Sequence, residues 1–435
     1  MLNQKKPADK AKDKDMYFSL FCFLTGLFTF IGLLYVLVKS GKPALSLVWN
    51  APTGGVCPDF FETLKDAKYL RPYEGRAVYP ALVYVLSAPL ANLLMGNESL
   101  WDQTPFTYKW LELTYTQTGL ILVFGFYIFV TLALVEFVCH RGKLSSVEKI
   151  LFAFLFICSP AFIFMIDRGN IVILSALFIA IYLQSLLSEN HINREIGLIA
   201  LAFAACFKIY PAIFGLLLLV DKRYKDAGKA ILYGVVLFFL PFALTGGIAS
   251  FKSFLRNIFL LSQDYALNQR GFGFGYKINV SNMIDASWYW LFGNHANSFV
   301  LHGVAGFVLM ISICIAIWNK TWWKKILALT CAMILVPDFS YIYTGVYLVL
   351  PVSEFMHDKR EMEATHGEDI LYLVLFSLEF AMFPYGCIMG RLPGDNKMSW
   401  STIVLACSLV LSFCLLARDT IIDIAIQMKK PQEEL

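Results

Sequence analysis

Apolar residues recur along this chain in runs whose length suits a lipid bilayer. An α-helix needs about 20 mostly apolar residues to cross the hydrocarbon, fewer where its ends are covered by neighbours. Such runs lie near 16–38, 118–138, 150–166, 171–187, 196–207, 212–220, 230–247, 298–318, 325–337, 343–356, 370–390 and 400–418. They predict an all-α polytopic membrane protein, a single domain over 1–435 with about twelve transmembrane helices. Several runs are short, and "FKIYPAI" between the fifth and sixth implies a distorted helical pair rather than two complete rods. The composition, 58% hydrophobic and 16% charged, lies far outside the soluble range. The lysines at 5, 6, 10, 12 and 14 precede a full-length span, not the short core of a cleavable signal. A formal charge of +4 gives no reason to expect a nucleic-acid partner.

Basic residues fix the orientation, because cytoplasmic loops collect Lys and Arg. The run Val78 to Met95 is apolar enough to cross, but crossing would send most later basic clusters outside. It therefore reads as a re-entrant or interfacial segment, broken by Pro80 and Pro89, in a first outer loop over 40–117. Both termini, including a basic tail over 1–15, are then cytoplasmic, and 248–297 forms a second outer loop. Trp49, Trp101, Trp110, Trp288, Trp290, Trp318, Trp322, Trp323 and Trp400 fall at span ends or in loops, where they read as interfacial anchors.

On this layout, polar groups from separate segments meet the same side: Asp59 in "CPDFFETLKDAKYL", the turn "DRGN" at 167–170, Lys208 with Tyr210, "NQRGFGFGYKINVSN", and Asp338 with Tyr341 and Tyr343. That is the outline of an active site at the outer membrane boundary. Each piece has a plainer reading. Asp59 is equally a solvated acid or a helix cap, although Phe60, Phe61, Leu64 and Ala67 give the segment after it one apolar helical face. Arg168 is equally an ion-pair partner of adjacent Asp167, with Gly169 easing the turn. Lys208 is equally a snorkelling lysine. Glu379, amid apolar residues, must face a bundle interior or a wet cavity. Cys22, Cys139, Cys158, Cys206, Cys314, Cys331, Cys407 and Cys414 sit in apolar runs without zinc-like spacing and read as core thiols; His295, His302 and His357 show no metal spacing. "RGFGFGYK" lacks the strand, turn, helix context of a nucleotide loop.

The acid after the first span, "YPALVYVLSAPLA", "DRGN" and "FKIYPAIFGLLLLVDKR", in this order over the first 225 residues, resemble glycosyltransferase family 87, C-class (GT-C) polyprenol-phosphate-mannose-dependent α-mannosyltransferases and their bacterial relatives. The resemblance implies a GT-C-type helical bundle in the plasma membrane that moves a hexose or related sugar from a polyprenyl-phosphate donor to a glycolipid or polysaccharide acceptor on the extracytoplasmic face. It makes Asp59 the catalytic general base of an inverting transfer. Arg168 and Lys208 become donor-phosphate ligands. Asp167, Asn170, Tyr210, Tyr276, Tyr341 and Tyr343 become candidate substrate-binding and sugar-binding residues, with Tyr79 in the same aromatic set. Asp59 stands between Pro58 and Phe60, without the paired acid that holds a metal in some C-class enzymes, so no cofactor is expected. Two rivals remain open: a lipid-linked sugar flippase, which would place ionisable groups at mid-membrane, and a surface-polysaccharide polymerase or ligase.

Overall fold

The computed structural model describes residues 7–40, 57–95, 117–263, 275–361, 367–383 and 398–429. Much of the expected first outer loop, with Trp49, Trp101 and Trp110, lies outside the described residues, as do residues 270–274 of the glycine-rich stretch. Apart from isolated bridge positions at Lys277, Tyr341 and Ser399, the regular structure among the described residues is helical. In chain order the α-helices are α1 (Pro7–Ser40), α2 (Pro58–Ala67), α3 (Ala81–Met95), α4 (Gln117–Arg141), α5 (Ser146–Ile157), α6 (Pro160–Arg168), α7 (Val172–Leu186), α8 (His191–Phe207) and α9 (Leu216–Val220). They continue with α10 (Tyr224–Leu244), α11 (Gly247–Gln263), α12 (Val280–Phe292), α13 (Ser298–Trp318), α14 (Trp322–Leu335), α15 (Val349–Glu361), α16 (Gly367–Phe380) and α17 (Trp400–Lys429).

Among the described residues five helical segments are long and apolar enough to cross a membrane: Met16–Tyr35, Gln117–Arg141, Tyr224–Leu244, Ser298–Trp318 and Trp400–Ile426. A sixth arises if α5 and α6, bent by 61°, count as one. The run expected at 150–166 is thus broken, and for a local reason. Pro160 disfavours helical backbone at the residue before it and suits the first turn of a new helix. Ser159 caps that helix, its hydroxyl oxygen accepting from the Phe162 amide at 3.3 Å and donating to Phe156 O at 2.7 Å. Other expected runs are shorter than a simple span: α3 and α7 have 15 residues each, about 22 Å of helix. The "FKIYPAI" break is present as a 3₁₀ turn, Tyr210–Gly215, before α9.

The chain divides into two compact units. The first comprises Met1–Trp49, Val138–Ile163 and Phe272–Leu435; the second comprises Asn50–Phe137 and Phe164–Gly271. In the first, α14 packs against α13, α15 and α17. Trp323, expected at an interface, is instead 1% exposed there, its ring against those of Phe355, Tyr372 and Phe376. Apolar neighbours on three sides outweigh the interfacial preference of a tryptophan at a helix start. Cys407 and Cys414 also depart from the core reading: both are exposed on α17, whereas Cys139, Cys206 and Cys331 are buried. Glu379 is buried as expected and accepts the Ser412 hydroxyl at 3.0 Å.

In the second unit α8 packs along α7 and α10, and α3 lies against α2 and α10. Val83, Ile171 and Phe207 form a buried knot with Tyr79, Leu174, Phe178 and Phe203 around it. Phe178 stacks on Phe203 at 5.3 Å and on Phe207 at 5.8 Å. This knot is the floor beneath the polar residues described next.

Candidate active site

The turn at 167–170 is the C-terminus of α6, and its sequence follows from the carbonyls that such an end leaves unpaired. Gly169 adopts φ +65°, the left-handed region open to glycine. The Gly169 amide then reaches Ile166 O at 2.9 Å and the Asn170 amide reaches Met165 O at 3.0 Å, the paired bonds of a Schellman cap. Cys57 completes the end from far along the chain: its amide donates to Asp167 O at 3.1 Å and its thiol to Ile166 O at 3.1 Å. A Cβ on Gly169 would sit 2.6 Å from Cys57 Cβ, so conformation and contact both demand glycine.

That seam sets the start of α2. Cys57, itself left-handed at φ 53°, is its N-cap, Pro58 takes the first turn, and the Cys57 carbonyl accepts the Phe60 amide at 3.1 Å. Pro58, Phe60, Phe61, Thr63, Leu64 and Ala67 are buried, so the apolar face read from the spacing is the face that packs. Asp59 is left half-buried in the first turn, against the end of α6.

The residues of "DRGN" close on it. Arg168 Nη2 pairs with Asp59 Oδ1, with side chains 27% and 16% exposed. Asn170 Nδ2 donates to Asp59 Oδ2 at 2.9 Å and to Tyr79 Oη at 3.1 Å, while its Oδ1 accepts the Val172 amide at 3.1 Å and starts α7. Asn170 is 1% exposed, so its amide is a fixed fork. Arg168 thus reaches past its chain neighbour to an acid 109 residues away. Asp167 serves the site through its main chain.

Lys208 ends α8 in extended backbone and sets its ammonium 4.6 Å from the centroid of the Tyr79 ring. Burial lowers its pKa to about 8, against the opposing pull of the Asp59 charge. Burial, then the charge of Asp59 and the neighbouring Tyr210, pushes the Tyr79 phenol well above its ordinary value and keeps it neutral. Tyr79 is held in turn: its carbonyl accepts the Tyr73 hydroxyl at 2.8 Å and its amide reaches Tyr84 Oη at 3.3 Å. Asp59, Arg168, Asn170, Tyr79 and Lys208 therefore form one cluster, with Tyr210 beside it. It offers a pinned carboxylate, two cations and a neutral phenol. Among the described residues no group of three or more His, Cys, Asp or Glu side chains is arranged to hold a metal.

Tyr276, Tyr341 and Tyr343 belong to the first unit. There Tyr341 bridges to Lys277, and its ring lies 5.6 Å from that of Tyr343. Lys277, which no sequence pattern singles out, is 4% exposed beneath the Phe339 ring, and burial lowers its pKa to about 8. Cys57 was likewise unmarked. Its one sequence signal is the proline after it, which predisposes the next residues to begin a helix.

A sequence model of glycosyltransferase family 87 matches residues 77–340, more than half of the 435. The chain belongs to that family. It is a glycosyltransferase whose apolar helices suit a membrane. No curated protein matches it. The family 87 match reaches beyond the 225 residues that carried the resemblance and starts later. It contains Tyr79, Arg168, Asn170, Lys208 and Tyr210 but begins 18 residues after Asp59. The acid enters the cluster through the Cys57 seam and the Arg168 pair.

Proposed function

We propose that this family 87 glycosyltransferase moves a hexose or related sugar from a polyprenyl-phosphate donor to a glycolipid or polysaccharide acceptor, with inversion, and that Asp59 is the general base. The observation that carries this reading is a carboxylate fixed through both oxygens, Oδ1 by Arg168 and Oδ2 by Asn170, within one cluster with Lys208 and Tyr79. The acceptor hydroxyl must lose a proton as its oxygen attacks the anomeric carbon, and a held carboxylate receives it. The bond from that carbon to the phosphate oxygen breaks, and the electron pair leaves with the polyprenyl phosphate. The Lys208 ammonium stabilises that growing charge. Arg168 joins it, because a guanidinium presents five donors in a fork and can meet a carboxylate along one edge and a phosphate along another. Attack from the face opposite the phosphate inverts the centre. Tyr79, Asn170, Asp167 and Tyr210 border the sugar.

The reading is metal-independent, since Asp59 has cationic and amide partners in place of a second acid. It places the enzyme in the plasma membrane as a GT-C bundle of about twelve spans, with α3 re-entrant or interfacial, both termini cytoplasmic and the cluster extracytoplasmic. The concentration of charge at helix ends supports transfer over transport.

The test is purified wild type against Asp59→Asn, offered a panel of polyprenyl-phosphate sugars with chelator present throughout. Transfer by wild type and its loss in a folded variant bear the proposal out. Undiminished transfer by the variant removes Asp59 as base, and donor binding without transfer by wild type favours a flippase.

A further inference from the structure

Helix α11 carries a surface that the reaction does not use. On its inner face Phe254 is 1% exposed, within 5.7 Å of the rings of Phe242 and Tyr73. Its outer face holds Ile248, Leu255, Phe259 and Leu260, between 49% and 76% exposed. Lys252 and Arg256 stand on that same outer face, four residues apart, so that Ile248, Lys252, Arg256 and Leu260 make one i, i+4 row. Like charges at that spacing oppose a helix. There is no Asp or Glu anywhere in α11, and among the described residues no acid forms an ion pair with Lys252 or Arg256.

Asn257 ties α11 to the segment before α3, donating to Gly75 O at 3.0 Å and to Ala77 O at 3.1 Å. Glu74, the acid of that segment, is paired with Arg71. An exposed apolar stripe flanked by cations on an amphipathic helix is the form that lies in the headgroup region of a bilayer and attracts anionic lipid.

We infer that α11, through Lys252 and Arg256, is a docking surface for the headgroups of anionic phospholipid in the surrounding bilayer. The partner is bulk lipid, because the cations rise from a stripe of exposed apolar side chains, and charge complementarity names its sign. Docking has a consequence for the cluster around Asp59. The segment that Asn257 grips leads directly into Tyr79, so lipid holding α11 in the interface steadies the residue that carries Asn170 and Lys208.

The experiment uses the full chain in nanodiscs of phosphatidylcholine mixed with phosphatidylglycerol and a trace of polyprenyl phosphate. Lipids retained on release are counted by native mass spectrometry for wild type, for Lys252→Gln/Arg256→Gln, and for the charge-preserving Lys252→Arg/Arg256→Lys. Each cation near a membrane surface is worth about 1 kcal/mol, or about fivefold, so the Gln pair should lower preferential phosphatidylglycerol retention about 30-fold at α11. The charge-preserving pair should retain it, which separates charge from folding. Equal retention by the Gln pair and wild type overturns the inference. Loss of bound polyprenyl phosphate with phosphatidylglycerol retention unchanged also overturns it, and would make α11 a substrate subsite.

Discussion

Asp59 in the second unit and Asp419 in the first are both aspartates drawn against cations from distant segments, yet they are built for opposite ends. Asp419 is 2% exposed and its oxygens are filled: Oδ2 accepts Lys324 at 2.9 Å and Tyr372 at 2.8 Å, and Oδ1 accepts two Arg418 nitrogens at 2.9 and 3.3 Å. An ionised carboxylate offers about four acceptor positions, and all four are taken. Asp59 has one described donor on each oxygen and a side chain 16% exposed. Its direction is fixed while acceptor capacity remains. A saturated acid clamps helices together; a pinned but unsaturated one can receive a proton. The number of filled acceptor positions separates the two, where burial and ion pairing alone do not.

The sharpest way to break this comparison is to make the same isosteric change at both sites. Asp59→Asn should cost about 10²–10⁴-fold in turnover, the worth of a general base. Its melting temperature should move little, because the pair it loses is part-exposed and contributes about 1 kcal/mol at most. Asp419→Asn should do the reverse. It leaves Lys324, 14% exposed, charged beside a neutral amide and takes the ionic partner from a 2%-exposed position, a loss of about 3 kcal/mol seen as a clear fall in melting temperature. Turnover per folded molecule should stay at the wild-type level. An inactive but fully stable Asp419→Asn would erase the distinction.

Local spacing reveals which face of an element packs and where its backbone must turn, and both were readable. Phe60, Phe61, Leu64 and Ala67 announced the buried face of α2. Gly169 announced a turn. Spacing carries no information about which distant element supplies the partner. Arg168 beside Asp167 invites a neighbouring ion pair; only the fold shows Asp59 taking that place across 109 residues. The proline after Cys57 marked a helix start, but nothing local showed what the cysteine bonds, because its role is to meet carbonyls that another segment leaves unpaired. Trp323 failed for the same reason: a tryptophan at a span start favours an interface until three aromatic neighbours from other helices enclose it.

Gly169→Ala tests the seam that aims Asp59. The alanine would meet Cys57 Cβ at 2.6 Å in a left-handed conformation, and strain with overpacking should cost about 2–4 kcal/mol. Thermal unfolding reads the loss. A turnover decrease beyond the unfolded fraction would show that the seam also sets the position of Asp59. Wild-type stability would mean that α2 and α6 part easily.

Lys208 sharpens the contrast through pH. Its folded pKa of about 8 lies below its ordinary 10.5, so between those values the unfolded chain holds a proton that the folded chain has released. Stability contributed by this group therefore rises with pH across that window. Donor affinity supplied by the ammonium should fall as pH passes about 8. Lys208→Met should raise KM for the donor about 10-fold to 100-fold at neutral pH, the worth of a charge-assisted bond, and abolish both pH trends. A donor KM indifferent to Lys208→Met would remove the lysine from the phosphate site.

The smallest effect belongs to Tyr79, and it divides the two jobs of one side chain. Tyr79→Phe removes the hydroxyl that accepts from Asn170 but keeps the ring under Lys208. One hydrogen bond of about 1 kcal/mol corresponds to about a fivefold loss of turnover, through a less firmly held Asn170, with the Lys208 pH midpoint unchanged. Tyr79→Leu takes the ring as well. It should add a loss of about 0.5–2 kcal/mol in donor binding and shift that midpoint. If both variants moved turnover and midpoint together, Tyr79 would be packing the floor of the cluster and steering neither Asp59 nor Lys208.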